Sequence, residues 1–192
     1  MAYEQPQNPG QLSALRPVTR YITGHNSSGK AIVQTENPAQ WSSFENASMA
    51  FTVAYTTSSF PCDLNADADL KTHENLSSTG KLGLVNPGGT VCRIVDFAPR
   101  GRPVMHRTQS LDYGIVLEGE IEMSLDSGEK RILKRGDVAV QRGTMHAWFN
   151  PSETEWTRMV FVLQECKELS IGGKTLGEDL SETVTDDIKP SK

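Results

Sequence analysis

G-R-P-V-M-H-R-T-Q-S-L-D-Y-G-I-V-L-E-G, residues Gly101 to Gly119, sets a histidine just behind a glycine- and proline-bearing turn and just ahead of a β-leaning run that closes on a second glycine. A second stretch, G-D-V-A-V-Q-R-G-T-M-H-A-W-F-N from Gly136 to Asn150, likewise sets a histidine just after a glycine-bearing turn and just before a β-leaning run. The two stretches hold His106 and His146, two of the four histidines in 192 residues. Between them Ile121, Met123 and Leu125 alternate with Glu120, Glu122 and Ser124, the period of a strand with one buried face. Working outward, short β-leaning runs from about Lys81 to Gln164 are separated by turn signals: N-P-G-G at Asn86, A-P-R-G-R-P at Ala98, D-S-G-E at Asp126 and K-R-G-D at Lys134. Short strands with turns at this spacing predict an antiparallel sandwich or barrel.

Beyond that unit the chain changes character. Residues 1–17 are polar, proline-bearing and without periodicity, and read as a flexible arm that orders only where something docks it. Residues 18–80 read as an N-terminal extension of strands and loop packing on the barrel. Within it, Val18 to Ile32 predicts a hairpin around H-N-S-S-G, Ala39 to Ala54 opens either as a helical turn or as a strand, and Pro61 to Thr79 reads as an exposed loop. The barrel core is expected over residues 81–165, and residues 166–192 read as a flexible tail, solvated from Ser181 onward.

Composition narrows the partners. A formal net charge of −5 and an isoelectric point near 5.4 argue against electrostatic binding to nucleic acid or to an anionic membrane, which need a clustered basic surface. A small molecule is the expected partner. No signal-like segment or membrane-length apolar run is read in the sequence. Cys62, Cys92 and Cys166 show no paired spacing, so reduced thiols and a cytoplasmic location are expected. The N-x-S patterns at Asn26, Asn46 and Asn75 carry no weight in such a compartment.

One motif is a decoy. G-H-N-S-S-G-K, from Gly24 to Lys30, matches the core of a phosphate-binding loop, but Ala31 stands where a magnesium-binding hydroxyl is required. The A-I-V-Q-T that follows is β-branched where a helix should begin, so the segment reads as a hairpin turn.

The two histidine stretches together resemble the paired signature motifs of the cupin family. The first motif of that family runs Gly, five residues, His-x-His, three or four residues, Glu, six residues, Gly; here four residues separate Gly101 from His106, Thr108 replaces the second histidine, Asp112 replaces the glutamate and Gly119 closes at the expected spacing. In the second, Gln141-Arg142-Gly143 stands for Pro-x-Gly, while His146 and Asn150 keep their spacing. The resemblance implies an all-β protein, a single cupin-type antiparallel β-barrel (jelly roll), and, in the family's manner, a homodimer. It also implies a metal site, for which this chain offers at most His106, Asp112 and His146, a two-histidine, one-carboxylate set of the kind that suits ferrous iron.

Residue types leave the chemistry open between two courses. Aspartate is one methylene shorter than glutamate, and threonine is a poor replacement for an imidazole ligand, so the cofactor is either a divalent metal (Fe, Mn, Zn or Ni) or none. Without metal, His106, Asp112 and His146 form an acid/base set: a histidine oriented by Asp112 takes a proton beside a carbonyl, and the other histidine protonates a leaving hydroxyl. The expected function is therefore a lyase, a dehydratase or decarboxylase of a small carbonyl or carboxylate metabolite, in the manner of cupins of secondary-metabolite biosynthesis. A non-haem iron dioxygenase using the same residues and a non-catalytic small-ligand binder are the alternatives. Thr108 and the mid-strand Arg158 are the expected substrate-binding residues. Tyr113 and Trp148 are expected to pack, and Arg107 to lie on the surface.

Overall fold

The structure, a computed structural model, describes residues 8–183 and 190–191. The portions of the expected arm and tail at residues 1–7, 184–189 and 192 lie outside the described residues. In chain order the strands are β1 (Thr19–His25), β2 (Ala31–Pro38), β3 (Ser42–Phe44) and β4 (Met49–Thr57), then helix α1 (Ala68–Thr79), then β5 (Thr90–Phe97), β6 (Ser110–Glu118), β7 (Glu120–Leu125), β8 (Lys130–Lys134), β9 (Val138–Arg142), β10 (His146–Phe149), β11 (Thr157–Glu165), β12 (Leu169–Ile171) and β13 (Lys174–Leu176).

Two antiparallel sheets carry the fold, as the sequence predicts. One has the order β3-β4-β5-β11-β6-β9 and the other β10-β7-β8. Their facing sides close on one core, in which Val95, Phe97, Val116, Met159 and Phe161 of the larger sheet meet Ile121, Leu133 and Trp148 of the smaller. Period-2 alternation makes this possible: on β11 Met159, Phe161 and Leu163 point in, and on β5 Val91, Val95 and Phe97 do. Gly114 on β6 is dictated by this packing, because a Cβ there would stand 2.9 Å from a ring carbon of Phe161.

The N-terminal extension enlarges the barrel sheet. β4 pairs along β5, and β3 along β4, with Glu45, Asn46 and Ala47 turning between them at φ of 49°, 56° and 65°. β1 and β2 form the hairpin expected around Gly24–Lys30, closed by the Asn26 backbone N–H donating to the Lys30 carbonyl at 2.9 Å.

Two segments differ from the sequence reading. Ala68 to Thr79, read as loop, is a helix with a left-handed cap at Gly80 (φ 60°). Its anchor is polar: buried His73 meets the Thr56 hydroxyl at 2.9 Å and Arg20 Nη1 at 3.0 Å. The arm is docked from Asn8 onward, with Ser13 fully buried. The Ser13 hydroxyl donates to Asp96, and Arg158 Nη1 donates to the Arg16 carbonyl at 2.6 Å. A buried charge pair on the outer face of the sheet is thus what the arm covers.

Candidate functional site

His106 and His146 meet as cross-strand partners. Each donates its backbone N–H to the carbonyl of the other at 2.9 Å, so the segment around His106 adds to the open side of β10. This is the hydrogen-bonded kind of antiparallel pair, and it sets the two side chains side by side on one face. Their rings lie 4.4 Å apart between centroids at 49°. The edge of Trp148 closes on His146 at 5.6 Å.

The backbone fixes the tautomer of both rings. His106 Nδ1 lies 3.0 Å from the Val104 carbonyl and His146 Nδ1 2.9 Å from the Thr144 carbonyl. A carbonyl only accepts, so each Nδ1 carries the proton and each Nε2 presents a bare lone pair. Burial pulls His146 down to about 3, helped by the neighbouring His106 and opposed by the Thr144 carbonyl. Burial also lowers His106, against the pull of the Val104 carbonyl and of Glu178. Both imidazoles are therefore neutral at physiological pH.

Asp112, on β6, shares the pocket but does not orient either histidine, contrary to the sequence expectation. The orienting acceptors are the Val104 and Thr144 carbonyls. The carboxyl is held instead by a hydroxyl chain: Ser110 donates to Thr108 at 2.7 Å, and Thr108 donates to Asp112 Oδ2 at 3.3 Å. Burial pushes Asp112 up to about 6, with the Ser110 and Thr108 hydroxyls and the Arg93 charge holding it from going higher. Its other oxygen, Oδ1, is buried without a hydrogen-bond partner. Thr108 is thus a positioning group for the carboxyl, buried in the pocket wall.

Arg158 is not in the pocket. It lies on the opposite face of β11, where Nε and Nη2 grip Asp96 at 2.6 and 2.7 Å and the guanidinium stacks 5.1 Å over Trp41. Alternation explains this, because Met159, Phe161 and Leu163 take the inward face and leave Arg158 outward with its cross-strand neighbour Asp96. The expected substrate contact is a structural ion pair.

The cation that does line the pocket is Arg93, which the sequence reading passed over. It stands on β5 on the same face as Val91, Val95 and Phe97, and that alternation in T-V-C-R-I-V-D-F was the available signal. Nη2 donates to the Gly83 and Leu84 carbonyls at 2.9 and 3.0 Å, and the guanidinium stacks 4.9 Å over Phe51. Nε is buried without a partner. Burial lowers Arg93 to about 10, against the attraction of Asp112, so it remains a cation at neutral pH.

These groups enclose a cavity of about 90 Å³, otherwise walled by apolar side chains including Met49, Val95, Trp148 and Phe161. Trp148, expected only to pack, is part of that wall, while Tyr113 is exposed on the other face of β6. The C-terminal segment contributes to the cavity's wall. Arg107 and Asp179 exchange backbone hydrogen bonds at 2.9 and 2.8 Å, Arg107 Nε donates to the Gly177 carbonyl at 2.7 Å, and Leu180 and Thr183 line the cavity. Arg107 is therefore the fastening of a strap, and residues 177–183 lie against the barrel where the sequence reads a tail.

Two imidazole Nε2 atoms are available, but Asp112 is engaged by Thr108, and among the described residues no three His, Cys, Asp or Glu side chains are gathered closely enough to hold an ion. The arrangement does not fit the metal site implied by His106, Asp112 and His146. It fits proton transfer: neutral bases and a carboxyl of raised pKa in one cavity walled mainly by apolar side chains.

Comparison with known proteins agrees with the fold. A family model described as Cupin domain matches residues 93–163. The chain is 51% identical over 164 residues to Phomopsin biosynthesis cluster protein D of Diaporthe leptostromiformis, covering 85% of this chain and 86% of that protein. It is 42% identical over 167 residues to Oryzines biosynthesis cluster protein J of Aspergillus oryzae, covering 86% and 92%. It is 40% identical over 167 residues to the Cupin-domain-containing oxidoreductase srdB of Neurospora crassa, covering 86% and 83%.

Proposed function

The chain belongs to the cupin family, and from that premise we propose that it is a lyase of secondary-metabolite biosynthesis that works by metal-independent acid–base chemistry on a small carbonyl or carboxylate metabolite. The observation that carries the reading is the pair of bare Nε2 lone pairs on His106 and His146, aimed with the Asp112 carboxyl into one buried cavity.

The two rings act as a coupled pair, since a proton on one suppresses protonation of the other. In the proposed step His106 Nε2 removes a proton from the carbon beside a carbonyl, and the C–H electron pair moves into the enolate. In a dehydration those electrons then form the carbon–carbon double bond as the β-carbon–oxygen bond breaks. Protonated Asp112 delivers its proton to the departing hydroxyl, which leaves as water. The proton held by His106 returns the carboxyl to its starting state through solvent, so no oxidant or reductant is consumed. The mainly apolar wall of the cavity strengthens each of these interactions.

The test is deuterium exchange. The protein is incubated with 2-oxobutyrate in D₂O, and the C3 protons are followed by NMR. Exchange well above the buffer rate, lost in His106→Ala, is the expected result. Exchange at the buffer rate would remove the support for proton abstraction.

A second reading, an oxidoreductase, is favoured by one observation, the similarity to the Neurospora cupin-domain-containing oxidoreductase. It predicts substrate-dependent oxygen uptake in protein carrying stoichiometric metal. The cavity's donor set speaks against it, since among the described residues no three His, Cys, Asp or Glu side chains are gathered closely enough to hold an ion.

A further inference from the structure

The geometry points to a short-chain hydroxy acid as the ligand of this cavity, its carboxylate received by Arg93 Nε and its hydroxyl by Asp112 Oδ1. The inference deepens the lyase reading by naming the substrate class, and it rests on that reading only for the identity of the reacting bonds.

The argument begins with two orphaned atoms. Buried polar groups are nearly always hydrogen-bonded, and leaving one unpaired is costly. Arg93 Nε and Asp112 Oδ1 are both buried and both without a partner, and both residues line the same cavity. They are complementary in kind. The Nε–H is a charged donor and calls for an anionic acceptor, whereas a carboxyl oxygen accepts from a hydroxyl when ionised and donates to one when protonated. A hydroxyl serves both states of Asp112. A carboxylate serves Arg93.

The two residues do not satisfy each other, for no ion pair joins them among the described residues. Each is instead anchored by other groups. Arg93 is fixed by the Gly83 and Leu84 carbonyls through Nη2 and by Phe51 beneath its plane, and Asp112 is fixed by Thr108 through Oδ2. Both free atoms are thereby held in place before anything binds, which spares a ligand the cost of ordering them. The remaining wall, with Val95, Phe97, Trp148 and Leu163, is apolar and suits a carbon chain. The volume of about 90 Å³ keeps that chain short.

The same placement orders the chemistry. A carboxylate bound at Arg93 puts the carbon next to it within the field of that cation, where enolate charge develops. A hydroxyl bound at Asp112 is the group that the proposed step expels.

Binding of three probes tests this without any need for turnover: 3-hydroxybutyrate, butyrate and 3-hydroxybutyramide, measured by calorimetry and by NMR of the arginine Nε–H resonances. The hydroxy acid is expected to bind about tenfold or more tightly than the amide and more tightly than butyrate, with the Arg93 Nε–H signal moving on titration with either acid. Arg93→Met, checked for folding by its melting temperature, is expected to abolish the preference for acid over amide. An amide that binds as well as the acid, or acid binding that leaves the Arg93 Nε–H signal in place, would overturn the anion subsite, whether or not Arg93→Met folds. Equal binding of butyrate and the hydroxy acid would overturn the role given to Asp112. His106→Ala is expected to keep the acid preference while losing deuterium exchange, so a failure of catalysis and a failure of this inference read differently.

Discussion

His106 and His146 are locked together by reciprocal backbone hydrogen bonds of 2.9 Å, and each turns its Nδ1 proton onto a carbonyl two residues earlier in its own segment. The barrel thus delivers two neutral imidazoles with their basic nitrogens free in one pocket, and most of the behaviour expected of this protein follows from that pairing.

The first expectation concerns acid. A histidine ordinarily near 6.5 that is held at about 3 in the folded state resists protonation that the unfolded chain accepts. Its contribution to stability is present above 6.5 and is lost as the pH falls toward 3. His146→Asn, which removes the titration, should flatten the fall of melting temperature between pH 6.5 and 4, with wild type and variant converging as the pH drops. Parallel curves would show that His146 titrates normally.

Asp112 has the opposite sign. Its folded pKa is raised from 3.8 to about 6, so its folded-state cost is absent below 3.8 and fully felt above 6. Asp112→Asn should therefore stabilise the protein at pH 7.5 by an amount on the order of 2 kcal/mol, read as a rise of several degrees in melting temperature, and make no difference below pH 4. The same titration bears on rate. With Asp112 as the proton donor, kcat/KM should fall above about pH 6, and that limb should disappear in Asp112→Asn together with most of the activity.

Arg158 and Asp96 give a stability test with no catalytic component. The pair is buried on the outer face of the sheet, with the Ser13 hydroxyl and the Arg16 carbonyl completing it. Removing one partner leaves a buried charge uncompensated, so Arg158→Met should cost about 3–5 kcal/mol, while the double variant Asp96→Leu/Arg158→Met should cost much less. Both should retain the ligand preference of the pocket when folded. A loss of binding beyond the loss of folded protein would return Arg158 to the site.

The strap is the remaining mechanical element. Leu180 and Thr183 line the cavity, and Arg107 fastens the segment through the Gly177 carbonyl and the backbone of Asp179. Leu180→Ala should widen the cavity and admit longer hydroxy acids, measured as a smaller affinity gap between four- and eight-carbon ligands. An unchanged gap would place the size limit deeper in the barrel.

How much of this was legible in the sequence depends on whether a residue's role is set by local pattern or by what packs over it. The alternation around Ile121 and the glycine-bearing turns gave the strands, and the spacing of His106 and His146 gave their meeting. Arg93 carried the same kind of signal, a charge on the apolar face shared with Val91, Val95 and Phe97, and it was overlooked because it lies outside both motifs. Arg158 was misjudged because its facing was not read from Met159, Phe161 and Leu163. Helix α1 was hidden for another reason. A-D-L-K-T-H-E-N-L-S-S-T lacks an apolar stripe, and its buried contact is a histidine whose partners, Thr56 and Arg20, come from distant strands. The docking of residues 177–183 likewise depends on backbone pairing with Arg107, which leaves no mark on side-chain composition.

The central claim, that the His106, His146 and Asp112 site transfers protons without a metal, is tested most directly by measuring 2-oxobutyrate deuterium exchange on protein whose metal content is determined before and after chelator treatment. The account predicts an exchange rate that is unchanged when the metal content falls to zero and that is lost in His106→Ala. A rate that falls in proportion to metal removed and returns when metal is restored would contradict it.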